Sequence, residues 1–176
     1  MIKSLLLIDL QKDFVEPGGA LFVDGSRKIF PVVLELIDRF KRQGLPIITT
    51  MDFHEKDDPE FEYWPPHCVK GTKGVELADV VKRELIGYEK HYTIKKRKYS
   101  AFYQTKFDAL IRELDLDEFH VAGVVTNICV LFTVEELRNR KLKVVLYEKG
   151  VISYDNDLHR FALRQMKEVL NVEVIE

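Results

Sequence analysis

Ile2 to Ile8, IKSLLLI, is a nearly continuous apolar run that stops at Asp9. A short run dominated by Leu and Ile fits a strand buried on both faces of a parallel sheet, and such a sheet needs helices on each side to cover it. The rest of the chain supplies them. Ser26 can cap a helix whose apolar residues Ile29, Val32, Val33, Leu36, Ile37 and Phe40 recur at three and four, with Gly44 closing it. Leu45–Met51 then predicts a second strand. Further strands are predicted over His91–Lys95, Glu118–Gly123, Leu142–Tyr147 and Val172–Ile175, alternating with helices over Thr105–Leu114, Ile128–Arg140 and Asp155–Leu170. Strands alternating with helices imply βαβ units, hence a single-domain α/β fold over residues 1–176: three α/β/α layers, doubly wound around a mostly parallel six-stranded sheet.

Asp52 to Gly74 breaks the rhythm. It carries Pro59, Pro65, Pro66, Gly71 and Gly74 with no sustained periodicity, and loops that long in a compact domain are commonly functional or disordered. The formal charge of -2 lacks the basic excess of a nucleic-acid binder, so no nucleic-acid partner is expected. The two cysteines, Cys68 and Cys129, are too few for a disulfide framework. The opening apolar run, broken by Asp9, predicts neither a signal peptide nor a membrane span, and the expected location is cytoplasmic.

In open α/β sheets ligands bind beyond the carboxyl ends of the strands. That edge is predicted to collect Asp9 after the first strand, Asp52 and His54 after the second, Lys96 after the third, and Cys129 at the helix start after the fourth. Each has an ordinary reading as well. Cys129 is a packed thiol or a nucleophile whose thiolate is favoured by a helix start and a nearby lysine. Asp9 is a turn carboxylate or a base, and Lys96, in the run Lys95–Lys98, is a solvated charge or an electrostatic partner. Within DFHEKDDPEFEYWPPH, Asp52, His54 and His67, with Glu60 as a fourth, either face solvent or form a ligand set for Zn, Fe or Mn.

Four segments in order, LLLIDLQKDF with GGAL behind it, TMDFHEKDDPEFEYWPPHCVKGTKG, KKRKYSAFYQT and GVVTNICV, resemble the isochorismatase-like cysteine hydrolases, and within them the nicotinamidases. The resemblance spans nearly the whole chain. It implies Cys129 as nucleophile, Asp9 as general base and acid, and Lys96, four residues before Ser100, as the third catalytic member. It further implies a cis peptide between Val125 and Thr126, an oxyanion hole from the N–H groups of Thr126 and Cys129, and a substrate slot at Val125 walled by Phe14, Trp64 and Tyr99. The implied cofactor is one divalent transition metal, Zn2+ first and Fe2+ or Mn2+ as alternatives, on Asp52, His54, His67 and, as in some members, Glu60. A small carboxamide is the implied substrate, no membrane partner is expected, and a homo-oligomer is allowed. Phe53 and Asn127 depart from the nicotinamidase pattern, where tryptophan and an acidic residue are frequent.

Overall fold

The computed structural model describes residues 2–176. Six parallel strands form one sheet in the order β3-β2-β1-β4-β5-β6: β1 (Ile2–Ile8), β2 (Ile47–Asp52), β3 (His91–Lys96), β4 (Leu116–Val124), β5 (Lys143–Ile152) and β6 (Glu173–Ile175). The opening apolar run serves both faces at once. Leu5 and Leu7 pack with Val33, Leu36, Ile37 and Phe40 of the helix α2 (Phe30–Arg42), after the short α1 (Lys12–Val15). Leu6 and Ile8 instead join Phe119, Val121, Val134, Leu137 and Met166 on the opposite side. Successive residues of a strand point to opposite faces, so a run apolar at every position is covered twice.

Sequence and structure differ at several element ends. Ser26 does not cap α2: its hydroxyl donates to Val15 O at 3.3 Å, and a 3-10 turn, Ser26–Ile29, leads into the helix. A helix that sequence periodicity does not reveal, α3 (Asp79–Leu85), follows the long loop, its seven residues too few to set a period. Next come α4 (Phe107–Glu113), α5 (Leu131–Asn139) and α6 (Asn156–Arg164). β5 continues past Tyr147 through Glu148, Lys149 and Gly150, where the pairing with β4 shifts register between Val121 and Gly123. Gly123 has φ +131, and a Cβ there would lie 2.1 Å from Ile8 O, so only glycine lets β4 run this close to β1. Among the described residues no helix is long and apolar enough to cross a membrane.

Candidate active site

β1 pairs with β2 on one side and β4 on the other, so the winding reverses between β1 and β4, and a crevice opens at their carboxyl ends. The order β3-β2-β1-β4 brings Lys96 and Asp52, the last residues of their strands, and Asp9, just past β1, beside Cys129 in the turn after β4. Lys96 is the last residue of β3 rather than a loop residue. Burial alternates along this strand, so that Ile94 and Lys96 are buried while Lys95 is exposed. Lys95 instead lies over the Phe53 ring, 4.1 Å from its centre.

The Lys96 ammonium is 2.8 Å from Asp9 Oδ2 and 3.5 Å from Cys129 Sγ, and it also donates to Asp52 Oδ1. One oxygen of Asp9, one of Asp52 and the Cys129 sulphur lie within 4.8 Å of one another. Asp9 adopts a left-handed backbone, φ 51, and its Oδ1 accepts from Thr50 Oγ1 at 2.6 Å. Its Oδ2, although ion-paired with Lys96, has no partner aligned for a hydrogen bond, so a lone pair remains for another proton. Gln11, which sequence reasoning passed over inside LLLIDLQKDF, fixes this edge. Its side chain donates to Asp52 O at 2.8 Å and Val75 O at 2.9 Å and accepts from Asp52 N at 2.7 Å.

Burial pushes the Cys129 thiol well above its usual pKa, and Lys96 only partly opposes this. Lys96 thus acts in the expected direction, toward the thiolate, but burial outweighs it, which leaves the proton for a base to remove. Burial also raises the Asp9 carboxyl, against the pull of Lys96, which makes it a better proton acceptor than an exposed aspartate. Burial disfavours the Lys96 cation, but Asp52 and Asp9 outweigh it and keep the ammonium charged.

Cys129 sits in a wide helical turn, Thr126–Val130, that joins β4 to α5. The cis peptide is Val124–Val125, one bond before the expected position. The Val125 carbonyl already accepts the N–H groups of Ile128 at 3.0 Å and Val130 at 3.2 Å, so the helical turn starts at Val125 and the bond after it belongs to that turn.

A cavity of about 480 Å³ opens over the sulphur. Phe14, Trp64, Tyr99 and Val125 line it, as do Leu21, Phe22, Ile128 and Tyr154, which sequence reasoning did not single out. Trp64 Nε1 donates to Tyr99 OH at 3.1 Å, and Tyr99 stacks on Phe132 at 5.9 Å, so the aromatic wall braces itself. Neither Phe53 nor Asn127 is among the lining residues. Cys68 is fully buried away from Cys129, its sulphur 4.0 Å from Gly74 O.

On the flank of the cavity Asp52 Oδ2 lies 3.9 Å from His54 Nε2 and 3.8 Å from His67 Nε2. His67 Nδ1 donates to Pro65 O at 2.8 Å, which turns its Nε2 toward Asp52. His54 Nδ1 is 3.1 Å from Asp58 Oδ2, and His54 Nε2 is wholly buried without a hydrogen-bond partner. Two imidazole nitrogens and a carboxylate with such spacing suit one ion bound at about 2.0–2.2 Å from each donor, and partners on the far ring nitrogens are the usual support of histidine ligands. Lys96 and the two imidazoles, working against burial, hold Asp52 well below the usual carboxylate range. Glu60 also lines the cavity, but its carboxylate is paired with Lys98 at 2.9 Å, and it groups with His54 and Asp58 rather than with Asp52 and His67. Asp58 is a second residue that sequence reasoning missed. It carries both His54 and Arg97, its carboxyl settles at about 2 despite burial, and the Asp-Pro step at a helix start was the available signal.

An α/β sheet with a cysteine, an aspartate and a lysine meeting at its switch point defines a class of hydrolase, and the chain belongs to the isochorismatase family, whose domain matches residues 3–175. A crystal structure of the nicotinamidase/pyrazinamidase of Bacillus subtilis superposes with a TM-score of 0.94 at 31% identity, covering 100% of both chains. The pyrazinamidase of Pyrococcus horikoshii, solved in complex with zinc, gives 0.87 at 29% identity over 99% of this chain and 98% of that one. A probable inactive nicotinamidase of Arabidopsis thaliana is 30% identical over 74% of this chain and 70% of its own length.

Proposed function

We propose that this protein is a nicotinamidase, hydrolysing nicotinamide to nicotinic acid and ammonia in NAD salvage. The observation that carries the reading is the meeting of Asp9, Lys96 and Cys129 beneath a slot walled by Phe14, Trp64 and Tyr99, with Asp52, His54 and His67 on its flank. Asp9 takes the thiol proton, and Lys96 steadies the new thiolate and the charge left around it. The sulphur adds to the carboxamide carbon, and the N–H groups of Thr126 and Cys129 receive the oxyanion. Asp9 returns its proton to the nitrogen as the C–N bond breaks, releasing ammonia and leaving a thioester on Cys129. Asp9 then deprotonates a water that attacks the thioester, and the acid leaves as the thiol is reprotonated. The flat apolar slot selects an aromatic ring. Asp52, His54 and His67 would hold a divalent transition metal, with zinc as first choice, and it would supply Lewis-acidic orientation of the substrate ring.

A second reading, an amidase of the same family for another small carboxamide, rests on Phe53 and Asn127. Their places outside the cavity lining weaken it. A silent relative is disfavoured because Asp9, Lys96 and Cys129 are all present and in contact range. Ammonia release from nicotinamide and from a panel of other amides, before and after chelation, decides among the three. Fastest release from nicotinamide, depressed by chelation, is expected; release only from a non-aromatic amide would overturn the assignment.

A further inference from the structure

The turn that carries Cys129 is also held by the segment that follows β5. His159 of α6 places Nδ1 at 2.9 Å from Thr126 Oγ1. Thr126 is wholly buried, and His159 is the partner that satisfies its hydroxyl among the described residues. One residue further along the turn, Asn127 Oδ1 accepts from Ser153 Oγ at 2.6 Å, and that hydroxyl oxygen accepts from Asp155 N at 3.3 Å. Asp155 Oδ1 in turn accepts the N–H groups of Asp157 and Leu158, each at 2.8 Å, and so caps α6. Two consecutive residues of the turn are thus tied to one helix start. A wide turn is looser than an α-helix, and its outline depends on what grips it from outside.

We propose that His159 is a positioning residue, which through the Thr126 hydroxyl fixes the direction of the Thr126 backbone N–H toward the reacting carbonyl. The inference rests on the functional reading above, with Cys129 as nucleophile and Thr126 N–H as an oxyanion donor. A donor matters most when charge develops, so its misdirection slows the chemical step and leaves ground-state binding in the apolar slot nearly untouched. His159 acts one residue removed, and it does not line the cavity.

The test uses the amide that the wild-type protein turns over fastest, with kcat and KM measured for His159→Leu, His159→Asn, Thr126→Val and the Thr126→Val/His159→Leu pair. An asparagine amide reaches the place of Nδ1 and can donate or accept; leucine can do neither. His159→Leu is expected to lower kcat about tenfold or more, as small misplacements of reacting groups do, with KM within about twofold of wild type. His159→Asn should recover most of the loss. Thr126→Val should match His159→Leu, and the pair should be no slower than either single variant, because both remove one interaction. Alkylation of Cys129 by iodoacetamide, which develops no oxyanion there, should keep its wild-type rate in His159→Leu. Additive losses in the pair, or a loss explained wholly by a smaller folded fraction, would overturn the positioning role. If Cys129→Ala keeps activity, the functional reading falls and this inference with it. If Cys129→Ala is inactive and His159→Leu has wild-type kcat, only the positioning role falls.

Discussion

Two clusters of charge, each built on a buried carboxylate, occupy opposite ends of the same sheet. At the amino ends of β1, β4 and β5, Glu118 lies between Lys3 at 3.1 Å, Lys143 at 3.2 Å and His120 Nε2 at 2.8 Å. His120 Nδ1 meets Tyr147 OH at 2.8 Å, and that oxygen accepts from Arg39 at 2.5 Å. The proton order follows from the chemistry. Arg39 can only donate, so the tyrosine hydroxyl donates to Nδ1, and the other imidazole nitrogen donates to Glu118. At the carboxyl ends, by contrast, Asp9 Oδ2 and His54 Nε2 are buried without an aligned partner, and their neighbours Cys129, Asp52 and His67 line a cavity. A closed network of satisfied groups stabilises a fold, whereas buried groups left with free lone pairs beside a cavity are prepared for a ligand.

The sharpest way to break this contrast is to remove the reacting atom. Cys129→Ala should lower hydrolysis by about four orders of magnitude or more while the thermal midpoint stays near wild type, with Cys68→Ala far milder in rate. Ammonia assays and a thermal melt check both halves. Next in size is the metal: His54→Ala and His67→Ala should each lose bound transition metal on elemental analysis, whereas Asp58→Ala, which removes the support behind His54 along with the Arg97 pair, should weaken affinity about 10–100-fold in a chelator competition. Full occupancy in both histidine variants would dissolve the distinction between the two clusters.

The smallest effect is expected at the other end of the sheet. Glu118→Gln should cost about 1–3 kcal/mol in denaturant unfolding at neutral pH and leave kcat unchanged. Lys3, His120 and Lys143, against burial, depress its folded pKa from 4.5 to about 2. A depressed carboxyl contributes stability that is fully present above the unfolded value and is lost as pH falls through the folded one. The gap between wild type and Glu118→Gln should therefore shrink from pH 4.5 down to about 2. A gap that grew on acidification would contradict the assignment of charge.

Much of this was legible in the sequence because its physics is local. Runs such as Leu5 to Ile8 end at polar residues, and parallel order turns those ends into neighbours, which is how Asp9, Asp52 and Lys96 come together. The resemblance singles out Lys96 from Lys95, and along β3 Lys96 is buried while Lys95 is exposed. What escaped depends on partners far away in the chain. Gln11 matters because Asp52 and Val75 stand opposite it, Asp58 because Arg97 and His54 reach it, and His159 because α6 folds back over Thr126. No spacing announces such meetings. The extension of β5 through Glu148 and Lys149 was hidden for a related reason: backbone pairing with β4 carries these residues where side-chain pattern alone ends a strand.

If Cys129 is the nucleophile, it becomes covalently acylated by the carboxamide. Acid quenching during turnover of nicotinamide, followed by mass spectrometry of the proteolysed protein, tests it directly. A nicotinoyl thioester is expected on the peptide containing Cys129, none on the peptide containing Cys68, and none in Cys129→Ala. Steady hydrolysis with no adduct at Cys129, persisting in Cys129→Ala, would contradict it.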